Sequence, residues 1–226
     1  MRRFARTLGT LMIVAGLGTL AWAAAVWRWE DPFTSLYTAY EQRGLSTALD
    51  EHFASYEPAD AHPASLGAAR LSAEARRYRR ESRTGEAIGR VEIPRLGLKM
   101  VLVYGTDHES LKRGPGLDPR AFFPGQNRLV YVAGHRTTYA APFSKIDSLR
   151  RGDAIRVELP YGTFTYRVTG SRVVAANDVS VLRSKRHEQI ALQACHPRFF
   201  ASHRWITYGR LGRLEPPVDG GSSATN

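Results

Sequence analysis

The sequence predicts a mainly β domain that is preceded by a membrane-spanning helix and by two further helices. Three observations lead to this expectation. An apolar segment without charges lies near the N-terminus, two stretches rich in Ala, Arg, Glu and Leu follow it, and the remainder consists of short runs that alternate between apolar and polar residues. With 226 residues, of which 43% are hydrophobic and 23% charged, the chain has the composition of a globular protein with one sizeable domain.

The membrane-spanning helix is expected at residues 8–27, which carry no charged side chain. At about 1.5 Å per residue, a helix of that length crosses the roughly 30 Å of bilayer hydrocarbon. The arginines that precede it predict that residues 1–7 are cytoplasmic and that the rest of the chain is outside. A cleaved signal peptide is the alternative, because the small residues at 21–25 suit signal peptidase. The anchor is favoured because its apolar stretch exceeds the about 7–15 residues typical of a signal peptide.

Residues 28–84 are expected to form a helical stalk between the anchor and the β domain. Two helices are predicted there, at 33–56 and 64–83, with prolines between them. The second helix is so rich in charge that we expect it to be solvated, and contact with phosphate-rich polymers or lipid headgroups is the alternative. At the other end of the chain, residues 216–226 contain prolines, glycines and serines and are expected to be a disordered tail.

Residues 85–215 are expected to form the β domain. Apolar and polar side chains alternate along 154–159 and 163–170, and the residues between them supply the turn of a hairpin. About eight short strands with few helices indicate a small closed barrel or a sandwich. The strands are predicted at 88–93, 98–104, 128–133, 154–159, 163–170, 172–176, 188–195 and 204–211, with short helical turns at 109–112, 143–149 and 179–182.

Charge and cysteine content exclude several classes of protein. The formal net charge is +11, but the basic residues are scattered and no nucleic-acid-binding motif accompanies them, so we expect no nucleic-acid partner. Cys195 is the single cysteine, which excludes an intrachain disulfide and a multi-cysteine metal site. We therefore expect neither a metal nor a cofactor.

An unpaired cysteine in an exported domain is either buried or functional, because an oxidising environment modifies an idle exposed thiol. One interpretation makes Cys195 a core residue of the apolar strand 190–195. The other follows from alternation: if Ile190, Leu192 and Ala194 face the core, Cys195 faces the opposite side at the end of its strand. There, a neighbouring base or cation would make its thiol a nucleophile.

The candidate partners of Cys195 are one histidine and one arginine. His135 ends the apolar run 129–134, where a strand opens into a loop, whereas His196 points away from Cys195 in an extended chain and is expected to be structural. Arg204 begins the last strand, nine residues after the cysteine, so antiparallel pairing would return it beside Cys195. Its guanidinium could stabilise a thiolate or a substrate oxyanion, and Arg198 is the alternative for this role.

These residues resemble the motifs of a known family. The runs AGHR at 133–136 and LQAC at 192–195, an arginine that opens the last strand and an N-terminal anchor are similar to the sortases, the membrane-bound cysteine transpeptidases of Gram-positive bacteria. The resemblance covers about residues 86–213. The runs FPGQN at 123–127, GHRTTY at 134–139 and APF at 141–143 look most like class E sortases, with class D next.

The resemblance implies a sortase-type closed β-barrel with a catalytic triad of Cys195, His135 and Arg204. It also implies cleavage of a C-terminal sorting signal of surface proteins between Thr and Gly, and transfer of the acyl group to an amine of a cell wall precursor or of a pilin. Alanine replaces the family's two threonines at positions 191 and 194, which affects specificity more than the reaction. Substrate contacts are expected from four residues, namely Gln193, Ala194, Thr137 and Thr138.

Two other classes of protein remain alternatives at this point. A papain-like hydrolase would have its cysteine before its histidine and at the start of a helix, whereas here His135 comes first and Cys195 ends a β-run. A non-catalytic exported β domain that binds cell-wall polymer or a partner protein would have a buried, inert thiol.

Overall fold

A closed barrel of eight strands forms the body of the protein, in a computed structural model that describes residues 2–29, 32–58 and 67–216. The strands are β1 (Ala87–Ile93), β2 (Leu98–Tyr104), β3 (Gly116–Leu117), β4 (Leu129–Ala133), β5 (Ala154–Leu159), β6 (Gly162–Ala175), β7 (Gln189–His196) and β8 (His203–Glu215). Around the barrel they follow the order β1-β2-β3-β4-β7-β8-β6-β5, and only the pairs β2–β3 and β4–β7 are parallel. The prediction of a mainly β, closed eight-stranded barrel is confirmed.

The strand boundaries differ from the prediction in two places. β6 is one continuous strand of 14 residues, where the sequence pattern predicts two strands, at 163–170 and 172–176. Gly170, with a φ of 152°, lies at a bulge in the pairing of β6 with β8, so this interruption of the pattern bends the strand without ending it. The sequence pattern also misses β3, because two residues are too few to show alternation.

Four α-helices accompany the barrel in the described part of the chain: α1 (Arg2–Trp29), α2 (Pro32–Ser55), α3 (Ala68–Glu81) and α4 (His108–Arg113). Short 3₁₀ turns lie at Pro94–Leu96, Ile146–Ser148 and Val179–Leu182. Within α1, the segment Arg3–Ala24 is long and apolar enough to cross a membrane, and none of it is buried in the protein. The tail from residue 217 and the predicted start of the second stalk helix at residue 64 lie outside the described residues.

The helix α3 packs on the barrel, which corrects the expectation that this charged segment is solvated. Leu71, Ala75 and Tyr78 are buried in the main core, and the Tyr78 hydroxyl donates a hydrogen bond of 2.8 Å to the carbonyl oxygen of Ile88. These three residues are four and three positions apart, so they form one narrow apolar stripe on a helix whose other faces carry charges. A high charge content therefore did not mean a solvated helix here.

The helix α2 also lies against the barrel. Leu45 and Leu49 are buried with valines of β2, and the amide of Gln42 joins two backbone segments. Its nitrogen donates to the carbonyl oxygen of Arg113 at 2.7 Å, and its oxygen accepts from the N–H of Val101 at 2.7 Å. Contacts of α2 and α3 thus extend the core beyond the barrel, and the boundary of the catalytic domain at residue 84 stays a prediction.

The strand β7 separates the barrel interior from an outer face. Ile190, Leu192 and Ala194 point into the main core, whereas Ala191 packs on the outside in a smaller apolar cluster. That outer cluster also contains Tyr131 of β4 and Ile206 of β8. Side chains at the odd positions of β7, which include Cys195, therefore lie on the outer face.

Candidate functional site

The pairing of β7 with its two neighbours brings the three predicted residues to one end of the barrel. In the antiparallel pair β7–β8, Cys195 lies directly opposite Arg204. In the parallel pair β4–β7, Ala133 is in register with Gln193, and the N–H of Gly134 donates to the Gln193 carbonyl oxygen at 3.0 Å. Because this hydrogen bond extends the alignment one residue beyond β4, we expect His135, the next residue of the loop, to lie near Cys195.

Cys195 is a partly exposed residue at this position. It is unpaired, and alternation along β7 directs it away from the aliphatic side chains of the barrel interior. The interpretation of Cys195 as a buried core residue, with an inert thiol, therefore does not fit the structure.

His135 lies in an environment that favours its neutral form. Burial lowers the pKa of its imidazole below the usual range, and the positive charge of His108 lowers it further. The ring of Tyr139 covers it at a centroid distance of 5.1 Å. Within the described residues the Nε2 atom of His135 is buried and has no hydrogen-bond partner, which is uncommon for a buried polar atom.

The loop that carries His135 is fixed by contacts at both ends. The N–H of Phe143 donates to the carbonyl oxygen of His135 at 3.1 Å. Tyr139 has a positive φ of 53°, an unfavourable conformation for a bulky residue, and its N–H donates to the hydroxyl oxygen of Thr34 at 2.9 Å. Thr34 belongs to the first turn of α2, so the helix that follows the candidate membrane span contacts the loop beside His135.

The guanidinium of Arg204 is directed toward the loop between β7 and β8. Its Nη1 donates to the carbonyl oxygens of Ala201 at 2.7 Å and His203 at 2.9 Å, and it forms no ion pair with a carboxylate among the described residues. A purely structural salt bridge is thus not its role in this structure. The alternative, Arg198, lies in the same loop with its guanidinium 5.8 Å from the ring centroid of Phe199.

Arg136 is a residue of the site that the sequence interpretation missed. Its side chain is only 3% exposed and donates to the carbonyl oxygen of Cys195 at 3.2 Å and to Asp147 at 2.7 Å. It also forms a hydrogen bond of 2.8 Å with Nδ1 of His196. The signal that could have identified Arg136 is its position directly after His135. In an extended chain, adjacent side chains point to opposite sides, so Arg136 is expected to point away from the side that His135 faces.

The four expected substrate-contact residues have different surroundings. The amide oxygen of Gln193 accepts a hydrogen bond of 2.6 Å from the Tyr131 hydroxyl on the outer face of the barrel. Thr137 and Thr138 lie, partly buried, in the loop after His135. Ala194 corrects the expectation, because its side chain is 1% exposed and points into the core, away from the outer face. In the described part of the chain, no three His, Cys, Asp or Glu side chains cluster as metal ligands would.

Fold and site together define a closed eight-stranded barrel protein whose candidate cysteine, histidine and arginine lie at the end of the barrel where β4 and β7 end and β8 begins. The chain belongs to the sortase family, whose sortase domain model matches residues 91–212, more than half of the chain. Sortase D of Bacillus subtilis (strain 168) is 33% identical over 131 residues, which are 56% of this chain. The match spans 65% of that relative, slightly less than two thirds of its length.

Solved structures agree with this assignment. A Clostridium perfringens Sortase D5 transpeptidase has a TM-score of 0.63 at 21% identity, with 77% of this chain and 99% of that chain covered, which supports the fold. Sortase E1 from Streptomyces coelicolor, solved with a tripeptide in its active site, has a TM-score of 0.56 at 27% identity and covers 63% of this chain and 98% of its own. Similarity to sortases of classes D and E confirms the resemblance found in the motifs.

Proposed function

We propose that this protein is a membrane-anchored cysteine transpeptidase that cleaves a C-terminal sorting signal and transfers the new acyl group to an amine. One observation supports this most directly. Cys195 is partly exposed on the outer face of β7, with Arg204 opposite it on β8 and His135 in the loop that directly follows β4, the parallel neighbour of β7.

The proposed reaction begins with attack of the Cys195 sulfur on the carbonyl carbon between Thr and Gly of an LPxTG-like or LAxTG-like signal. The guanidinium of Arg204 stabilises the carbonyl oxygen as negative charge develops on it. His135 protonates the leaving amine, so the C–N bond breaks and a thioester remains. An incoming amine then attacks the thioester, loses its proton to His135 and releases Cys195.

The protonation states needed for this cycle follow from the environment of His135. A lowered pKa leaves most of the imidazole neutral near pH 7, which suits it for accepting the proton of the incoming amine. The first step requires an imidazolium beside a thiolate, a pair of charges that stabilise each other. Only a fraction of the molecules carries that pair at any moment.

The proposed location and partners follow from α1 and from the family. With α1 as a single-pass anchor and its N-terminus in the cytoplasm, the barrel lies at the outer face of the membrane. Anchored surface proteins that carry sorting signals and lipid-linked cell wall precursors are both found there. We propose attachment of surface proteins to the cell wall precursor as the main activity, with transfer to a pilin lysine as the alternative.

Peptide cleavage by the full-length protein in detergent tests the proposal. Cys195→Ala should abolish cleavage of a sorting-signal peptide, and His135→Ala should nearly abolish it. Arg204→Ala should lower kcat by about 10²–10³-fold, the usual cost of losing one oxyanion donor. Arg213→Ala is the matched control, because Arg213 lies on the same strand, is 74% exposed and pairs only with Glu215 in the described residues.

One outcome would refute the proposed mechanism, and a second assay would define the specificity of the reaction. Cleavage retained by the Cys195→Ala protein would refute the mechanism. Peptides with Pro or Ala at the second position of the signal, each with and without a glycine-based amine, would identify the preferred signal and separate transfer from hydrolysis.

A further inference from the structure

The first two turns of α2 carry a stripe of exposed apolar side chains. Phe33, Leu36 and Tyr40 are 71%, 72% and 74% exposed, and Tyr37 is 43% exposed. Their spacing of three and four residues places these four side chains on one face of the helix, over about 10 Å of its length. We call this face the aromatic stripe. Adjoining exposed side chains of this size indicate a surface that contacts another molecule or a membrane.

The barrel covers the opposite face of α2. Thr38 is fully buried, and its hydroxyl donates a hydrogen bond of 2.8 Å to the carbonyl oxygen of Lys112. Leu45 and Leu49 are buried on the same side. At about 100° per residue, these positions lie across the helix from the aromatic stripe. The stripe is therefore a second face of α2, and the contacts with the barrel do not account for it.

The aromatic stripe begins beside the candidate membrane span. The ring of Phe33 lies 5.6 Å from the ring of Trp22, centroid to centroid. Trp22 belongs to the apolar segment Arg3–Ala24, close to its C-terminal end. Tryptophan at the end of a span favours the boundary between membrane and water. With α1 as the proposed anchor, the stripe thus starts at that boundary.

The composition of the aromatic stripe suits a lipid interface. Residues 32–40 contain no charged side chain, and Phe and Tyr are typical of the interfacial region of a bilayer. Further along the same side of α2, the exposed residues are Arg43, Thr47 and Glu51, so the apolar face ends with Tyr40. Four partly covered side chains of at most about 150–250 Å² each offer less than the about 800 Å² that a stable protein interface buries on each partner.

We propose that the aromatic stripe inserts into the interface of the bilayer that holds α1, so that the start of α2 lies between lipid and barrel. This would be a second membrane contact, made by apolar side chains without the help of charge. Interfacial helices bury their apolar face about 5–10 Å into the boundary between headgroups and acyl chains. The inference rests on the proposed anchor and is independent of the transpeptidase reaction.

Spin labels measure the depth of the aromatic stripe in the full-length chain, reconstituted in phosphatidylcholine nanodiscs. In a Cys195→Ala background, one label at a time is attached at Leu36→Cys, Tyr40→Cys or Thr47→Cys. Collisions with oxygen, which concentrates in hydrocarbon, and with a water-soluble nickel chelate report the depth of each label. Labels on the stripe should lie about 5–10 Å below the headgroup level, and the label at Thr47 should lie in water. Thr47 is the matched control, because it is exposed about three turns beyond Leu36 on the same side of α2.

A charge on the aromatic stripe should remove it from the bilayer. With the label at Tyr40→Cys, Leu36→Asp should raise the label by at least about 5 Å, because a carboxylate loses hydration when it enters the boundary region. Thr47→Asp adds the same charge on the same side of α2 and should leave the label at its depth. The depth should also be equal at about 0.01 M and about 1 M salt, since screening does not weaken apolar contacts. A label that leaves the bilayer at the higher salt concentration would contradict apolar insertion.

A label at Ala15→Cys, within α1, separates the inference from the proposed anchor. It should lie near the middle of the bilayer, about 15 Å deep. If it lies in water, the proposed membrane location fails together with the inference. If it lies in hydrocarbon while the labels at Leu36→Cys and Tyr40→Cys collide freely with the nickel chelate, the anchor stands and the inference is wrong. Stripe labels protected from both reagents would also overturn the inference, because protein would then cover the stripe in place of lipid.

Discussion

Replacement of Arg136 tests whether a buried guanidinium fixes the end of β7 that carries Cys195. Arg136→Gln removes the donor of the Cys195 carbonyl oxygen and the ion pair with Asp147. A partly buried carbonyl left without a donor costs about 1–3 kcal/mol. Asp147 is 47% exposed and regains water, so loss of its ion pair adds at most about 1 kcal/mol. We therefore expect the free energy of unfolding to fall by about 1–4 kcal/mol.

Urea unfolding of the full chain in detergent measures this loss, and alkylation of the native protein by a methanethiosulfonate reagent reports on the thiol. The alkylation rate of Cys195 should change in Arg136→Gln at constant pH, because the strand end loses its support. Asp147→Asn should cost less than about 1 kcal/mol, and the exposed control Arg213→Gln less than about 0.5 kcal/mol. A loss below about 0.5 kcal/mol in Arg136→Gln, with an unchanged alkylation rate, would refute the reasoning.

Three further predictions concern groups near the site and in the core. Because burial and the charge of His108 lower the pKa of His135, its NMR titration should have a midpoint below pH 6.5, and His108→Ala should raise that midpoint. The folded chain then binds this proton less readily than the unfolded chain, so stability should decrease as the pH falls below about 6.5; a midpoint above 6.5 would contradict this. Gly134→Ala would place a Cβ 2.7 Å from the ring of Phe143, and chemical unfolding should show a loss of about 1–3 kcal/mol, whereas unchanged stability would exclude this close packing. Glu188 is buried and accepts hydrogen bonds from two loop N–H groups and a tyrosine hydroxyl, so Glu188→Gln should cost about 1–3 kcal/mol in the same assay, and a neutral effect would argue against these bonds.

The barrel was largely predictable because most of its strands alternate in sequence. Seven of its strands have five or more residues, which is long enough for alternation or an apolar run to appear. β3 could not be predicted from the sequence, because only its pairing with residues distant in the sequence defines it. β6 appears as two strands in the sequence because Gly170 resembles a turn, whereas pairing with β8 continues across the bulge.

The candidate site was predictable in part for a similar reason. Strand order and register bring Cys195, His135 and Arg204 together, and each is marked in the sequence by a strand end. Arg136 was missed because its burial depends on Asp147 and on the Cys195 carbonyl, which are distant in the sequence. The packing of α3 was missed because three apolar positions are inconspicuous in a helix rich in arginine.

The hydrogen bond between Thr34 and Tyr139 limits how far the loop that carries His135 can move from the end of α1. Four residues lie between Trp29, the last residue of α1, and Thr34, and the five steps from one Cα to the other reach about 18 Å in a fully extended chain. With α1 as the proposed anchor, the hydrogen-bonded end of the histidine loop lies within about 18–20 Å of the end of the membrane-spanning helix. Cys195, the proposed nucleophile, would then act only on molecules that come close to the bilayer surface.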